Sequence, residues 1–304
     1  MEFIKDTHYN FIGKKKYSFV LSAIFVIFGL IELITMIIGT ARIGIDFTGG
    51  LSMELAFKHK ISTASVRKAL LPAGFKDLKI VKIRGKNNII LQTKAVAKDL
   101  NKYTARIKKT IKEAYKKNPP EVINSEMIGP SVGKSLSEDA VVAVIIAIIA
   151  IILYITWRFE FRFGLAAAIG LTHDVLVLLG FIFIFQKEIT LLVITAILTV
   201  AGYSLTDKVV VFDRIRENLK KIEPEKKKQI DLTNLVNESI NEVLTRTVVT
   251  SLTVVLAVLS LFFLGGIVLH NFAFILLCGI LIGTYSSIFI ASPVMVILNE
   301  KHYS

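Results

Sequence analysis

The chain has 304 residues, 53% of them hydrophobic, with a mean hydropathy of +0.62 and a formal net charge of +13. That apolar content excludes an ordinary water-soluble globule. A single cysteine, Cys278, excludes a disulfide framework and a thiol–metal site, and no GxxxxGK[ST] phosphate loop occurs anywhere.

A helix needs about 20 mainly apolar residues to cross about 30 Å of hydrocarbon. Six segments meet this: residues 17–38, 140–157, 163–185, 189–212, 248–264 and 272–298. The fourth is interrupted by Asp207 and Lys208, and the fifth is extended by residues 245–247. The first begins after Lys14, Lys15 and Lys16 and resembles a signal peptide, but about 22 apolar residues exceed the usual h-region, which predicts an uncleaved anchor. An even number of spans puts both termini on one side. The short basic segments (residues 14–16, Arg158 with Arg162, and residues 208–246 with nine Lys and Arg) share a face. The opposite short loops hold only Lys187, so both termini are predicted to be cytoplasmic. Three parts follow: residues 1–39 with the N-terminus and first span, an exported stretch at 40–137, and a five-helix membrane part at 138–304.

The exported stretch carries 20 Lys and Arg against 7 Asp and Glu, so its +13 equals the charge of the whole chain. Long loops translocate largely regardless of charge. The excess reads as a solvated surface, or as a face for anionic lipid headgroups or an acidic partner; nucleic acid is not expected. Leu51, Met53, Leu55 and Phe57 alternate as a half-buried strand does, and Ser62 caps a helix that stops near Pro72 and Gly74. Further strands are predicted at 78–83 and 89–93 around a turn at 85–88, then a helix at 96–117 and a strand at 122–127. This βαββαβ order predicts a ferredoxin-like α+β domain between the first and second of six transmembrane helices. No catalytic set, metal spacing or cofactor motif occurs in it, and an enzyme is not expected.

Glycine-rich segments flank this domain: Gly44-Ile-Asp46-Phe-Thr-Gly49-Gly50 after the first span and Gly129-Pro130-Ser-Val-Gly133 before the second. Either alone reads as an ordinary turn at a membrane surface. Together, at equivalent places, they read as hinges.

Ionisable groups within spans are costly and mark ion paths or interhelical contacts. Glu32, His173 with Asp174, Asp207 and Arg246 are of this kind. Asp174 lies about 11 residues, or about 16 Å, into its helix from the cytoplasmic side. Asp207 and Arg246 fall at similar depth on consecutive antiparallel helices, and an acid near a cation can serve as a protonation switch. A static ion pair is the alternative for them, and an interhelical hydrogen-bond clasp for His173 and Asp174. Tyr203 shares a helix face with Asp207, whereas Lys208 points elsewhere and reads as a snorkelling residue. Beyond the fourth span a charged helix carries Asp213, Arg214, Arg216 and Asn218. A cytoplasmic amphipathic segment at about 213–246 leads into the fifth span, with a basic loop at Lys226–Lys228 facing the anionic leaflet.

The segments GIDFTGG, IGPSVG, THD in the third span, GYSLTDKVVVFDRIREN and Leu244-Thr-Arg-Thr247, in this order, resemble the SecF family, the smaller subunits of the bacterial SecD–SecF protein-export motor in the resistance-nodulation-division superfamily. The resemblance covers essentially the whole chain. It implies pairing with SecD, action with the SecYEG channel and YajC on preproteins at the inner membrane, and use of the proton gradient. It also implies that Asp207 is the proton-relay aspartate and Arg246 the arginine facing it. Asp174 and His173 are further relay candidates from their place within a span. Departures are Thr206 where the family often has Asn, and Lys208 where a small hydroxyl residue is common. A proton-coupled small-molecule exporter half and a non-titrating structural subunit are the alternative classes.

Overall fold

The computed structural model describes residues 7–75, 78–83, 87–94, 100–222 and 231–303. Two compact units are present, residues 1–42 with 143–304, and residues 43–142. The first helix, α1 (Lys15–Ile38), ends at Gly39, whose φ of +78° turns the chain so that Thr40 N donates to Thr35 O at 2.9 Å.

The unit at 43–142 opens with a helical turn, α2 (Ile45–Thr48), and runs β1 (Gly50–Ala56), α3 (Thr63–Leu70), β2 (Lys79–Lys82), β3 (Asn88–Lys94), α4 (Leu100–Ala114) and β4 (Glu121–Ile128). The sheet order β2-β3-β1-β4 is antiparallel throughout, which is the split βαβ arrangement expected from the strand and helix order. Register is set by the alternation in β1. Leu51, Met53 and Leu55 are fully buried against Val66 and Leu70 of α3 and Ile107 and Ile111 of α4. Ser62 caps α3 by accepting from Ser65 N at 3.1 Å. The predicted turn at 85–88, in its first part, and the predicted helix start at 96–99 lie outside the described residues.

Among the described residues, six helices are long and apolar enough to cross a membrane. After α1 come α5 (Pro130–Arg158), α6 (Phe161–Ile184), α7 (Leu191–Lys220), α8 (Leu232–Leu264) and α9 (Gly266–Ser286); a π-helical turn at Ser287–Ala291 joins α9 to α10 (Ser292–Tyr303) in the sixth span. Several helices outrun their apolar stretches. Helix α5 starts at Pro130, α7 continues to Lys220, and the amphipathic segment and fifth span are one helix, because charge ends hydropathy without ending backbone hydrogen bonding. Thr190 caps α7 through Val193 N at 3.2 Å, and Asp231 caps α8 through Asn234 N at 3.1 Å. The basic loop at Lys226–Lys228 lies outside the described residues. Helices α6, α7 and α9 are the most buried, while α1, α5 and α8 turn Ile24, Ile149 and Leu256 outward.

Candidate functional site

Helices α7 and α9 meet through a stripe of small residues. A Cβ on Gly279 would lie 2.3 Å from Val200 Cγ2, and one on Gly283 would lie 2.9 Å from Ser204 Cβ. This GxxxG contact brings the polar atoms of both helices into hydrogen-bonding range. Helix α6 adds Gly170, where a Cβ would sit 2.4 Å from Cε of Lys208. The lysine stem lies along that bare backbone.

Lys208 is fully buried and is not a snorkelling residue. Its Nζ donates to Asp174 Oδ2 at 2.7 Å, Ser204 Oγ at 2.6 Å and Ser286 Oγ at 2.8 Å, which uses all three ammonium protons. Lys208 does point away from Asp207, as its place on the helix predicts. The face turned away from Asp207 meets α6 rather than lipid. Asp174, 1% exposed, is equally saturated: Oδ2 also accepts from Ser204 Oγ, and Oδ1 pairs with His173 Nδ1 at 3.0 Å. With Nδ1–H as donor, the imidazole presents Nε2 as a lone pair. Nε2 is buried and has no hydrogen-bond partner among the described residues.

Asp207 lies on the adjoining face of α7 in different company. It is buried, and among the described residues its hydrogen-bond donor is Thr284 Oγ1, at 3.1 Å. Thr284 in turn pairs with Ser251 Oγ at 2.6 Å, and Ser251 accepts from Tyr203 Oη at 3.2 Å. The expected direct pairing with Arg246 is not present. The Arg246 side chain is exposed and makes no ion pair among the described residues. Asp207 and Arg246 nonetheless lie at similar depth. Contacts Tyr203–Ser251, Arg214–Glu242 and Asn218–Ser239 give an antiparallel register that sets Asp207 level with about residue 247. What separates Arg246 from Asp207 is azimuth around α8. Glu32, on α1, accepts from Thr35 Oγ1 at 3.3 Å.

At the other end of α7, Asp213 pairs with Arg158 of α5 and lies 3.9 Å from Arg216. Arg214 Nε donates to Glu242 at 2.6 Å, and Asn218 Nδ2 donates to Glu242 at 2.7 Å and Ser239 at 3.0 Å. Asp213, Arg214 and Asn218 thus tie α7 to α5 and α8, and Arg216 braces Asp213 within α7. A further tie was invisible in the sequence. Asn237 Oδ1 on α8 accepts from the backbone N–H of Phe11 and Ile12 at 2.9 and 3.0 Å, and Asn241 exchanges bonds with Tyr9. On the loop after α6, Lys187 Nζ donates to Asn271 at 3.0 Å and lies 4.9 Å over the Phe274 ring; partial burial pushes its ammonium below the ordinary lysine range.

The two glycine segments meet inside the 43–142 unit. Gly44 precedes α2, Asp46 sits in its first turn, and Gly49 and Gly50 follow with φ of +68° and +148°. Gly129 and Pro130 open α5, so Gly133 is helical, and a Cβ there would lie 2.6 Å from Gly49 N. Among the described residues no cluster of three or more His, Cys, Asp or Glu is arranged to hold a metal.

Residues 107–301 match the family of protein export membrane proteins SecD/SecF, C-terminal part. The chain belongs to the SecD/SecF family. The protein translocase subunit SecF of Thermodesulfovibrio yellowstonii is 43% identical over 99% of this chain and 98% of its own length. That of Rhodothermus marinus is 38% identical, over 99% and 96%. The crystal structure of SecDF, a translocon-associated membrane protein from Thermus thermophilus, superposes with a TM-score of 0.81 at 32% identity, covering 97% of this chain and 39% of that one. SecDF in its super-membrane-facing form gives 0.68 at 31% identity, over 99% and 40%. The chain therefore spans about two fifths of the SecDF chain. As a SecD/SecF protein it is a multi-pass transport component and not an enzyme.

Proposed function

We propose that this chain is the SecF half of a SecD–SecF unit that assists preprotein export at the SecYEG channel, and that proton movement through Asp207 drives it. Both termini face the cytoplasm in this reading, and residues 40–137 lie outside. The observation that carries it is the contrast between two buried acids. Asp174 is saturated by a cation, a hydroxyl and an imidazole, whereas among the described residues Asp207 has the Thr284 hydroxyl as donor and no ion pair. A buried acid held by a single hydroxyl depends on what else approaches it, so a change of surroundings governs its charge. Arg246, exposed at the same depth, supplies such a change when a SecD helix closes over this face. His173 and Asp174 form a second acid–base station held by Lys208. The glycine segments around Gly49 and Gly133 form the joint on which the exported domain moves.

Moving one charge through 100 mV releases about 2.3 kcal/mol, enough to bias an equilibrium roughly fifty-fold. In vesicles containing the SecD–SecF unit and the channel, Asp207→Asn and Arg246→Met are expected to assemble normally, to lose gradient-dependent export, and to keep ATP-driven export. A full gradient response in Asp207→Asn would refute the role of Asp207 and direct attention to His173 and Asp174.

A further inference from the structure

The three hydroxyls beside Asp207 come from three helices: Tyr203 on α7, Ser251 on α8 and Thr284 on α9. With Asp207 ionised, their order of donation is fixed. An ionised carboxylate only accepts, so the single proton of Thr284 Oγ1 points at Asp207 Oδ2. Thr284 must then accept from Ser251, and Ser251 accepts from Tyr203 Oη. Every O–H in the series therefore points toward the acid. The series starts at a half-buried phenol and ends at a buried carboxylate. It also advances along the membrane, since Tyr203 precedes Asp207 by one helical turn, about 6 Å. At about the level of Asp207 on α8, Thr247 carries a buried hydroxyl oxygen with no hydrogen-bond partner among the described residues.

We infer that Tyr203, Ser251 and Thr284 form a hydroxyl wire that loads Asp207 with its proton. A hydronium ion at the phenol transfers a proton to Tyr203 Oη as the original Tyr203 proton passes to Ser251 Oγ. The Ser251 proton passes to Thr284 Oγ1, and the Thr284 proton to Asp207 Oδ2. Each hydroxyl gains one O–H bond and loses one, water is left at the entrance, and the carboxylate becomes a carboxylic acid. All three hydroxyls then point the opposite way and must rotate before the next cycle. The wire has a built-in direction in its resting state. None of the three hydroxyls is shared with the adjoining face of α7, where Lys208 bonds to Ser204, Ser286 and Asp174.

The inference rests on the proposed role of Asp207, and the experiment separates the two. Proton uptake under an imposed pH gradient is measured in vesicles containing the SecD–SecF unit, for Thr284→Val, Thr284→Ser, Ser251→Ala, Tyr203→Phe and Asp207→Asn. Thr284→Val and Ser251→Ala are each expected to slow uptake about tenfold or more, the scale of a positioned proton-transfer group, and Tyr203→Phe to slow it measurably. Thr284→Ser restores the hydroxyl and is expected to retain most of the rate, an outcome that a packing role for the threonine would not give. Should Thr284→Val fail to assemble, Ser251→Ala and Thr284→Ser carry the test. Uptake above half the normal rate in both Thr284→Val and Ser251→Ala, with Asp207→Asn inactive, would overturn the wire and leave the role of Asp207 standing. Normal uptake in Asp207→Asn would overturn both.

Discussion

Removing Lys208 tests whether the buried ion pair organises the membrane unit. At 2.7 Å the Nζ–Oδ2 attraction is about 6 kcal/mol gross at an effective dielectric constant near 20, set against desolvation of several kcal/mol per ion. The net value of the pair is therefore small, but the cost of breaking it is not. Lys208→Met leaves Asp174, 1% exposed, with His173 and Ser204 as donors and no counter-charge. Asp174→Asn leaves an ammonium among two serines. Each single change is expected to destabilise by about 3–5 kcal/mol, and the double change by less than either, for a coupling of at least about 3 kcal/mol. Ordinary interhelical hydrogen bonds in membranes couple by only about 0.6 kcal/mol on average, so the two cases are distinguishable. The assay is reversible denaturant unfolding of the purified protein in detergent micelles for the four members of the cycle. A loss below about 1 kcal/mol in Lys208→Met would mean that the ammonium reaches water, as the sequence alone suggested, and would refute the clamp.

Gly133→Val would drive a side chain into Gly49 N, 2.6 Å from the Cβ position, and force the glycine segments apart. Export is expected to fall while recovery of the unit with its SecD partner is unchanged; unaltered export would show that the segments are only turns. Asn237→Ala would strip the acceptor from the Phe11 and Ile12 amides at a cost of about 1–3 kcal/mol per buried group left unsatisfied. The segment before α1 should then become cleavable by protease below the unfolding temperature, and unchanged protection would contradict the contact.

Hydropathy and period were enough to locate the spans and the βαββαβ order, because both depend on residue type along one element. Leu51, Met53 and Leu55 declare a buried strand face without reference to anything distant. Helix ends were less legible: Pro130 and Gly133 read as a turn or hinge, yet proline is well suited to a first helical turn. The site was legible in depth and not in azimuth. Asp207 and Arg246 do share a level, but the rotation of α8 about its axis depends on packing that no local pattern records. Lys208 was misread for the same reason, since a helix packed on two sides has no lipid face there. One signal was available in the sequence: Lys208 and Asp174 are opposite charges at membrane depth on consecutive spans, and a buried cation needs an anion. The hydroxyls of Ser251 and Thr284 had no such signal, because single serines and threonines are common in apolar helices.

The bonds from Asn237 and Asn241 to residues 9–12 have a consequence for the order in which the protein is made. Their partners are separated by 225 to 232 positions in the chain. At about 5–20 residues per second, a ribosome synthesises the second set roughly 10–45 s after the first. During that interval the amides of Phe11 and Ile12 lack their final acceptor, although α1 is already long enough to enter the bilayer. The end of the molecule that holds residues 9–12 is therefore closed late, when the fifth span arrives, and closure there reports that the intervening four spans have been threaded in their final order.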